Sequence, residues 1–568
     1  MNILVLVGGY ALYITTLKSI FIIPIIGLMA TGVILKKIKF KFQFQDWKIT
    51  VLLTSLFSVL SLLLFFRNNE LLILDNDYLF WIRVAVTNQE YGVENINVFY
   101  NLIDASYHNS DLYHYLELWT MNLGNALNGQ EPAFNFLLFV YPLGLIISCL
   151  GIKELLLNII PSKIDKNYFL AMSSFFIIIG FLFFSQPWDF LNSYLKIGHM
   201  PISGMGLAWG SIKMIFLMNI VIALFLYLQK PNSNKFITLL FTTFFYLPVL
   251  PILMLTLFIW WCYLYFSGSK TELKDIIILI SLSIGFIFYY FVNGNHGGTT
   301  VSGFSIKEWF SLSNWIKYCP AIAMKTIFIP IFGFFPIYFL ILRKRVSIKS
   351  KPFLFMILLY SICIAVWAAF IKNIDANQAF LLFFGAILPL LMLLGLWNLI
   401  FVKRSPILGF LLVNIYLIPG IIHASKYNNQ IKKDQVSTID YIQKLDNARV
   451  LYIPDKTELN SVYDYNERVY TGMNQFILYN SKVDLISVAA SFDGNYLKNN
   501  ALEMYTFYRD ISSYYKQCGY FDVSSKCFKD FIRNCKINVI CTKNKEMHVE
   551  GWAKDFENSD YSFYKILP

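Results

Sequence analysis

The sequence predicts a polytopic α-helical membrane protein of about 13 transmembrane helices, followed by a C-terminal extracytoplasmic α/β domain. Three observations carry this prediction. The 568 residues are 57% hydrophobic and only 14% charged, with a mean hydropathy of +0.54, whereas a soluble domain carries roughly 25% charged residues. Apolar runs such as "ITVLLTSLFSVLSLLLFF" and "FLLFFGAILPLLMLLGLWNLIFV" recur along the chain. Each is long enough to cross a bilayer core as a helix, the form in which every backbone group pairs within its own segment. After residue 424 the composition turns polar and mixed, and a separate domain begins.

Spans are expected near 1–16, 19–35, 50–66, 133–151, 168–185, 206–228, 236–247, 248–266, 276–293, 320–342, 352–371, 377–401 and 406–423. The pair meeting at "LPVLP" reads either as one long helix or as a short hairpin. "MNILVLVGGYALY" lacks the basic leader of a cleavable signal, so the first apolar stretch is expected to be retained. The chain therefore divides into a transmembrane domain, 1–423, and a tail domain, 424–568.

Lys and Arg set the orientation. The formal charge of +12 is not read as nucleic-acid binding, because basic connections held on the cytoplasmic side account for it. "KKIKFKFQFQDWK", "KELLLNIIPSKIDK", "QKPNSNK", "SGSKTELKD", "RKRVSIKSK" and "VKRSP" all fall on one side under a single parity. With that side cytoplasmic, the N-terminus is cytoplasmic and the protein sits in the plasma (inner) membrane among its lipids. The loop 67–132, the loop 186–205, the Gly-rich 294–319 and the tail are then extracytoplasmic.

Within the tail, "DQVSTIDYIQKL" reads as a helix running into the strand "ARVLYIPD". "DLISVAAS", the helical "CFKDFIRNC" and the strands "INVICT" and "YSFYKIL" follow, an alternation of a small α/β domain. Cys518, Cys527, Cys535 and Cys541 do not have zinc-site spacing. In an oxidising compartment one or two disulfides are expected, and free buried thiols are the alternative.

The loop 67–132 is the most informative stretch. It is too polar to span, yet too rich in Trp, Tyr and Leu for a solvated linker. In "DLYHYLELWTMNL", Leu112, Tyr115, Leu116 and Trp119 share one helical face. Asp111, His114 and Glu117 share another. Such a helix would lie in the interface with its apolar face down, and the acid–imidazole–acid face offers a general base or a metal-ligand set. A solvated polar face is the competing reading. The same loop opens with Asp75-Asn76-Asp77, an alternation that presents oxygens to a hard cation, and contains Asp104. Asp77 and, in the loop 186–205, Asp189 are candidate ligands for a divalent metal, Mg or Mn.

Cations at the extracytoplasmic ends of spans run against the usual bias and need a reason. Arg67, Arg83, Lys196, Lys213, Lys325 and Lys372 are so placed, and a phosphate at headgroup level is one reason. Snorkelling to anionic lipids is the other. Lys213, inside "GSIKMIFLMNIVIALFLYL", Arg83, Lys196 and Lys325 are the candidate phosphate-binding residues. "NGNHGGTTVSGFS", with His296, cannot hold a fixed helix or strand. It and the loop carrying His199 are candidate gates over a site.

This arrangement resembles the GT-C superfamily of membrane glycosyltransferases: an acidic first large outer loop with interfacial helices, about a dozen spans, a mobile outer loop, then an extracytoplasmic α/β domain. The resemblance is architectural, and it implies a polyprenyl-phosphate or polyprenyl-pyrophosphate sugar donor and a glycan, lipid or protein acceptor. By position Asp75 and Asp77 match the family's first acidic motif, where an Asp acts as base or metal ligand. Asp111, His114, Glu117 and Asp189 match its second acidic site less closely. Here the acidic loop follows the third apparent span rather than the first, and the tail lacks the "WWDYG" motif of oligosaccharyltransferases. Two other functions compete: an O-antigen or capsule-type polymerase or ligase, which would lack the folded tail, and a transporter or flippase of lipid-linked substrate, which would place acids deep in its spans. A non-enzymatic scaffold, its tail a binding module, is a third.

Overall fold

The computed structural model describes residues 47–67, 70–71, 132–157, 166–183, 212–229, 233–243, 249–267, 350–369, 374–402, 433–446, 448–453, 484–487, 524–534, 536–542, 550–559 and 561–566, with scattered positions between them. The expected spans 1–16, 19–35, 276–293 and 320–342 lie outside these residues. Helices occupy the other expected positions apart from 406–423, which is described only at scattered points.

Helix α1 runs Trp47–Phe65, and the chain reverses at its end in a short hairpin of β1 (Phe66–Arg67) and β2 (Glu70–Leu71). Helix α2 (Pro132–Asn135) leads through a π-helical stretch, Phe136–Val140, into α3 (Tyr141–Leu157). The widened turn has a local cause. Pro142 has no N–H to give the preceding turn, and Tyr141 N–H donates to the Phe136 carbonyl five residues back, so the backbone passes the proline without a break. Helix α3 extends to Leu157, six residues past the expected end at 151. Lys153, expected in a cytoplasmic loop, is therefore helical and buried.

Helices α4 (Lys166–Leu182), α5 (Ile212–Gln229), α6 (Ser233–Thr242), α7 (Val249–Phe266), α8 (Ser350–Ala369) and α9 (Ile374–Trp397) complete the described bundle. Helix α9 carries Pro389 in its interior and continues as a π-helical stretch, Asn398–Val402. Phe136–Leu157 and Val249–Phe266 are long and apolar enough to cross a membrane. The bundle helices carry apolar side chains on the outside as well as the inside: Leu63 of α1 is 71% exposed, Phe176 of α4 65% and Phe266 of α7 85%. Helical hydroxyls bond back to carbonyls one turn earlier, as Thr54 does to Thr50, Ser174 to Leu170, Thr256 to Ile252 and Ser361 to Ile357. That pairing satisfies a hydroxyl where water is absent.

The packing fixes relative directions. A Cβ on Gly144 would stand 2.9 Å from Ile215, and one on Gly151 would stand 2.6 Å from Ile222, so α3 and α5 run parallel and very close. Asn219 of α5 fills the polar gap between them: Ser148 Oγ donates to Asn219 Oδ1 at 2.9 Å, and Asn219 Nδ2 to the Gly144 carbonyl at 3.4 Å. Cys149 meets the Ala171 carbonyl, symmetrically about the short 158–165 connection, so α4 returns antiparallel. Phe169 packs on Trp397 and Phe401 while Gly180 abuts Leu393; α9 is therefore antiparallel to α4.

The "LPVLP" ambiguity resolves to a hairpin. The rings of Phe236 (α6) and Trp261 (α7) lie 4.9 Å apart; in one continuous helix they would be about 37 Å apart. Tyr227 of α5 closes the junction, its ring 5.9 Å from Phe236 and its hydroxyl accepting the Trp261 indole N–H at 3.1 Å. Lys235 Nζ donates to the Leu226 carbonyl in the last turn of α5, a favourable place for a cation.

The tail holds a five-stranded sheet. Helix α10 (Lys433–Gln443) precedes β3 (Arg449–Ile453), β4 (Asp484–Ser487) follows, and α11 (Lys526–Asn534) precedes β5 (Val539–Thr542), β6 (Trp552–Glu557) and β7 (Ser562–Ile566). The order is β4-β3-β5-β7-β6, with β4, β3 and β5 parallel and β7 and β6 antiparallel to their neighbours. Val450, Leu451, Val539, Ile540 and Cys541 of the central strands are buried, and α11 buries Phe528, Phe531 and Ile532. Ser525 caps α11 by accepting the Phe528 N–H. Lys536, at φ 52°, ends it in a left-handed turn in which Ile537 N–H reaches back to the Ile532 carbonyl. Of the tail cysteines, Cys527 is disulfide-bonded and Cys541 is a free buried thiol in β5.

Candidate functional site

Chain direction places the described flanks of two stretches that hold site candidates at one end of the bundle. The starts of α2 and α5, the ends of α4 and α6 and the starts of α7 and α9 face one way, by the contacts above. The loops 67–131 and 184–211 therefore open at the same end. The opposite end carries the basic stretches after α3, α5, α7 and α9, four of the six on which the expected orientation rests. Lys213 is the second residue of α5, at the end where the two loops open.

Within the loop 67–132 the structure describes one junction, and it joins the two halves of interest. Ala85 and Met121 are fully buried and Asn122 is 3% exposed. Asn122 Nδ2 donates to the Ala85 carbonyl at 3.1 Å across 37 residues of sequence. Three residues on, Asn125 Oδ1 accepts from Asn135 Nδ2 of α2. Gly124 permits this approach, since a Cβ there would stand 3.2 Å from Asn135 Oδ1 and 3.1 Å from Phe139. A buried amide in apolar surroundings is costly unless paired. These asparagines thus tie the stretch that follows Asp75, Asp77 and Arg83 to the stretch that follows Asp111, His114 and Glu117, and tie both to the start of α2.

The side chains of Asp75, Asp77, Arg83, Asp111, His114, Glu117, Asp189, Lys196, Lys213 and Lys325 lie outside the described residues. Among the described residues no group of three His, Cys, Asp or Glu could hold a metal ion, and the candidate ligands Asp77 and Asp189 are not among them. The sequence reading overlooked the asparagines. Their signal was present in "MNLGNALNGQEPAFN", where amides recur among apolar residues at the mouth of a helix.

The tail's charged groups form a second polar feature. Asp555 is the extra residue of a β-bulge in β6. Its Oδ2 accepts from Lys565 Nζ at 2.7 Å and from the Tyr441 hydroxyl at 2.6 Å. Lys565 also lies over the Tyr441 ring, which stacks on Phe556 at 4.6 Å. The Lys565 hydrogen bond, then that of Tyr441, holds the Asp555 carboxyl below the usual range. Burial, then Asp555, pushes the Tyr441 phenol well above its own. Every member is satisfied within the cluster, and the bulged, charged β6 is a sheet edge that discourages further pairing.

No protein-family profile matches the chain, and no curated protein shows significant similarity to it.

Proposed function

We propose that this chain is a membrane glycosyltransferase of GT-C type, moving a sugar from a polyprenyl-phosphate or polyprenyl-pyrophosphate donor to a glycan, lipid or protein acceptor at the extracytoplasmic face. The observation that carries the reading is the Ala85–Asn122 junction at the bundle end away from the basic connections. It joins Ala85, in the stretch after Asp75 and Asp77, to Asn122, in the stretch after Glu117, next to the start of α2. The disulfide at Cys527 supports an oxidising compartment for the tail, and the apolar outer faces of α1, α4 and α7 support a lipid surround.

In this reading a carboxylate, Asp75 or Asp77, takes the proton of the incoming hydroxyl as its oxygen bonds to the anomeric carbon of the donor sugar. The bond from that carbon to the phosphate oxygen breaks, and the electron pair leaves with the phosphate. Arg83 and Lys213 stabilise the departing charge, with Lys196 and Lys325 as further contributors. Their effect is large because the lipid boundary holds little water. A divalent ion held by Asp77 or Asp189 would supply the same stabilisation.

The test uses the full chain in lipid nanodiscs with a radiolabelled polyprenyl-phosphate sugar and mixed acceptors. Transfer is expected to fall at least about a hundredfold in the Asp75→Asn, Asp77→Asn double variant, with donor binding retained. Full transfer by that variant overturns the assignment.

A further inference from the structure

We infer that the bundle end nearest the basic connections carries an aromatic docking surface for the headgroup layer of a lipid leaflet that contains anionic phospholipid. Its members are Tyr263, Tyr265 and Phe266 of α7, Tyr168 of α4, and Phe401 in the π-helical stretch after α9. The inference rests on the lipid surround proposed above, and not on the chemistry proposed for the opposite end.

The outward face of α7 changes character along its length. Before the last turn its exposed residues are Pro251, Leu255, Phe258 and Ile259, a stripe at helical spacing with no polar side chain. In the last turn they are Tyr263, Tyr265 and Phe266, the last two 67% and 85% exposed. Among the described residues of the bundle the other exposed tyrosine is Tyr168, in the first turn of α4, and Phe401 is exposed on the exit from α9. Helix directions put the end of α7, the start of α4 and the end of α9 together at one end. Side chains lean toward the N-terminus of their own helix. Tyr168 therefore leans out of the bundle, while Tyr263, Tyr265 and Phe401 lean back toward it, which draws the rings toward one level. Phe401 meets Phe169, the neighbour of Tyr168, edge-on at 5.2 Å. A ring carrying a hydroxyl is best placed where one side is apolar and the other wet, the boundary between acyl chains and headgroups.

The end of α7 is built to meet water. Ser267, itself exposed, closes the helix by donating its N–H to the Tyr263 carbonyl and its Oγ–H to the Leu264 carbonyl, both at 2.9 Å, which satisfies two of the carbonyls that a helix end leaves open. The surface is also preformed. The Tyr263 ring stacks on Trp260 at 5.3 Å, and Trp260 meets the buried Phe355 of α8 edge-on at 5.5 Å. Charge of the right sign surrounds it: Lys235 at the end of α5 and the basic stretches "QKPNSNK", "SGSKTELKD" and "VKRSP" complement anionic headgroups.

The experiment places the full chain in vesicles of phosphatidylcholine, with or without phosphatidylglycerol, and attaches a nitroxide at Leu255→Cys or Tyr265→Cys. The unsubstituted chain, labelled alongside, gives the background from native thiols. Depth is read from collisions with oxygen, which concentrates in the acyl core, and with a water-soluble nickel chelate. The label at 265 is expected within about 5 Å of the phosphate level, and the label at 255 about 15 Å deeper. Phosphatidylglycerol is expected to raise the thermal midpoint of the wild-type chain, and salt to cancel the rise. The Tyr263→Leu, Tyr265→Leu pair keeps the apolar area and is expected to lower the midpoint, whereas Tyr263→Trp, Tyr265→Trp should hold it. A label at 265 deep in the acyl core or in bulk water overturns the proposal. Spin–spin broadening at both positions, the mark of a second copy seated on the stripe, overturns it too, as do equal midpoints for the Leu and Trp pairs or a wild-type midpoint indifferent to phosphatidylglycerol. The wild-type midpoint decides the matter where a labelled variant does not fold. No readout needs turnover, so a chain that transfers no sugar overturns the glycosyltransferase reading while these measurements still decide this one.

Discussion

Gly151 of α3 sits so close to Ile222 of α5 that a Cβ on the glycine would lie 2.6 Å from the Ile222 Cγ2. Such a contact has no tolerable version, and Ile222 cannot step aside easily, because a β-branched side chain in a helix is held to one χ1 rotamer. The two helices are spaced by this glycine and by Gly144, with Ser148 and Asn219 bonded between them. Close approach through small residues is how helices associate where no hydrophobic force drives them together.

Gly151→Ala is therefore expected to destabilise the bundle by about 1–3 kcal/mol, the usual cost of overpacking. It should appear as a lower midpoint of thermal unfolding of the full chain in detergent. Ile222→Ala removes the offending Cγ2, so the double variant should recover part of the loss, giving a favourable coupling on a double-mutant cycle. Simple additivity of the two losses would mean that the helices are not in contact at this point.

The Asp555 cluster yields a pH dependence of definite sign. Its folded-state carboxyl titrates below the ordinary value, first because of the Lys565 hydrogen bond and then because of Tyr441. Between the two values the native state binds fewer protons than the unfolded chain. The stabilisation is thus complete above the unfolded value of about 3.9 and disappears as pH falls through the folded one. Because the pair is largely solvent-accessible, its worth is at most about 1 kcal/mol. Asp555→Asn should quicken hydrogen exchange in the β6–β7 peptides at pH 7, and the difference from wild type should shrink below about pH 4. Tyr441 acts with the opposite sign, its raised pKa giving stability that is lost above about pH 10. A wild-type advantage that grows on acidification would contradict the arrangement.

Helix positions were legible because apolar runs of this length admit one structure in a membrane or a core; ends were not, because hydropathy stops at a charge and a helix need not. Lys153 shows the difference: its charge marked a loop, yet α3 carries it inward for another turn. In the tail, α10, β3, β4, α11, β5 and β7 lie where their periodicity indicated. Strand β6 was missed because "WAKDFE" is an edge strand whose exposed face is charged and whose alternation is broken by the bulge at Asp555. The site was legible only as residue types. Asp75, Glu117 and Arg83 stand out by their charge, while the groups that join their stretches are uncharged asparagines and a glycine, whose roles depend on a partner 37 residues away.

Orientation gives the last prediction. The contacts of α3, α4, α5, α6, α7 and α9 place the basic stretches at 153–166, 229–235, 267–275 and 403–404 at one end of the bundle. Lys and Arg in short connections remain on the cytoplasmic side during insertion. In the proposed reading one further crossing, expected at 406–423, would carry the chain to the opposite side before the tail, where a disulfide such as that of Cys527 can persist. A green fluorescent protein fused after Arg404 should therefore fluoresce in a bacterial host, since it folds in the cytoplasm. An alkaline phosphatase fused after Pro568 should be active, because it needs its disulfides. The reverse pattern would turn the bundle over, place Asp75 and Asp77 in the cytoplasm and remove the basis for an extracytoplasmic donor site.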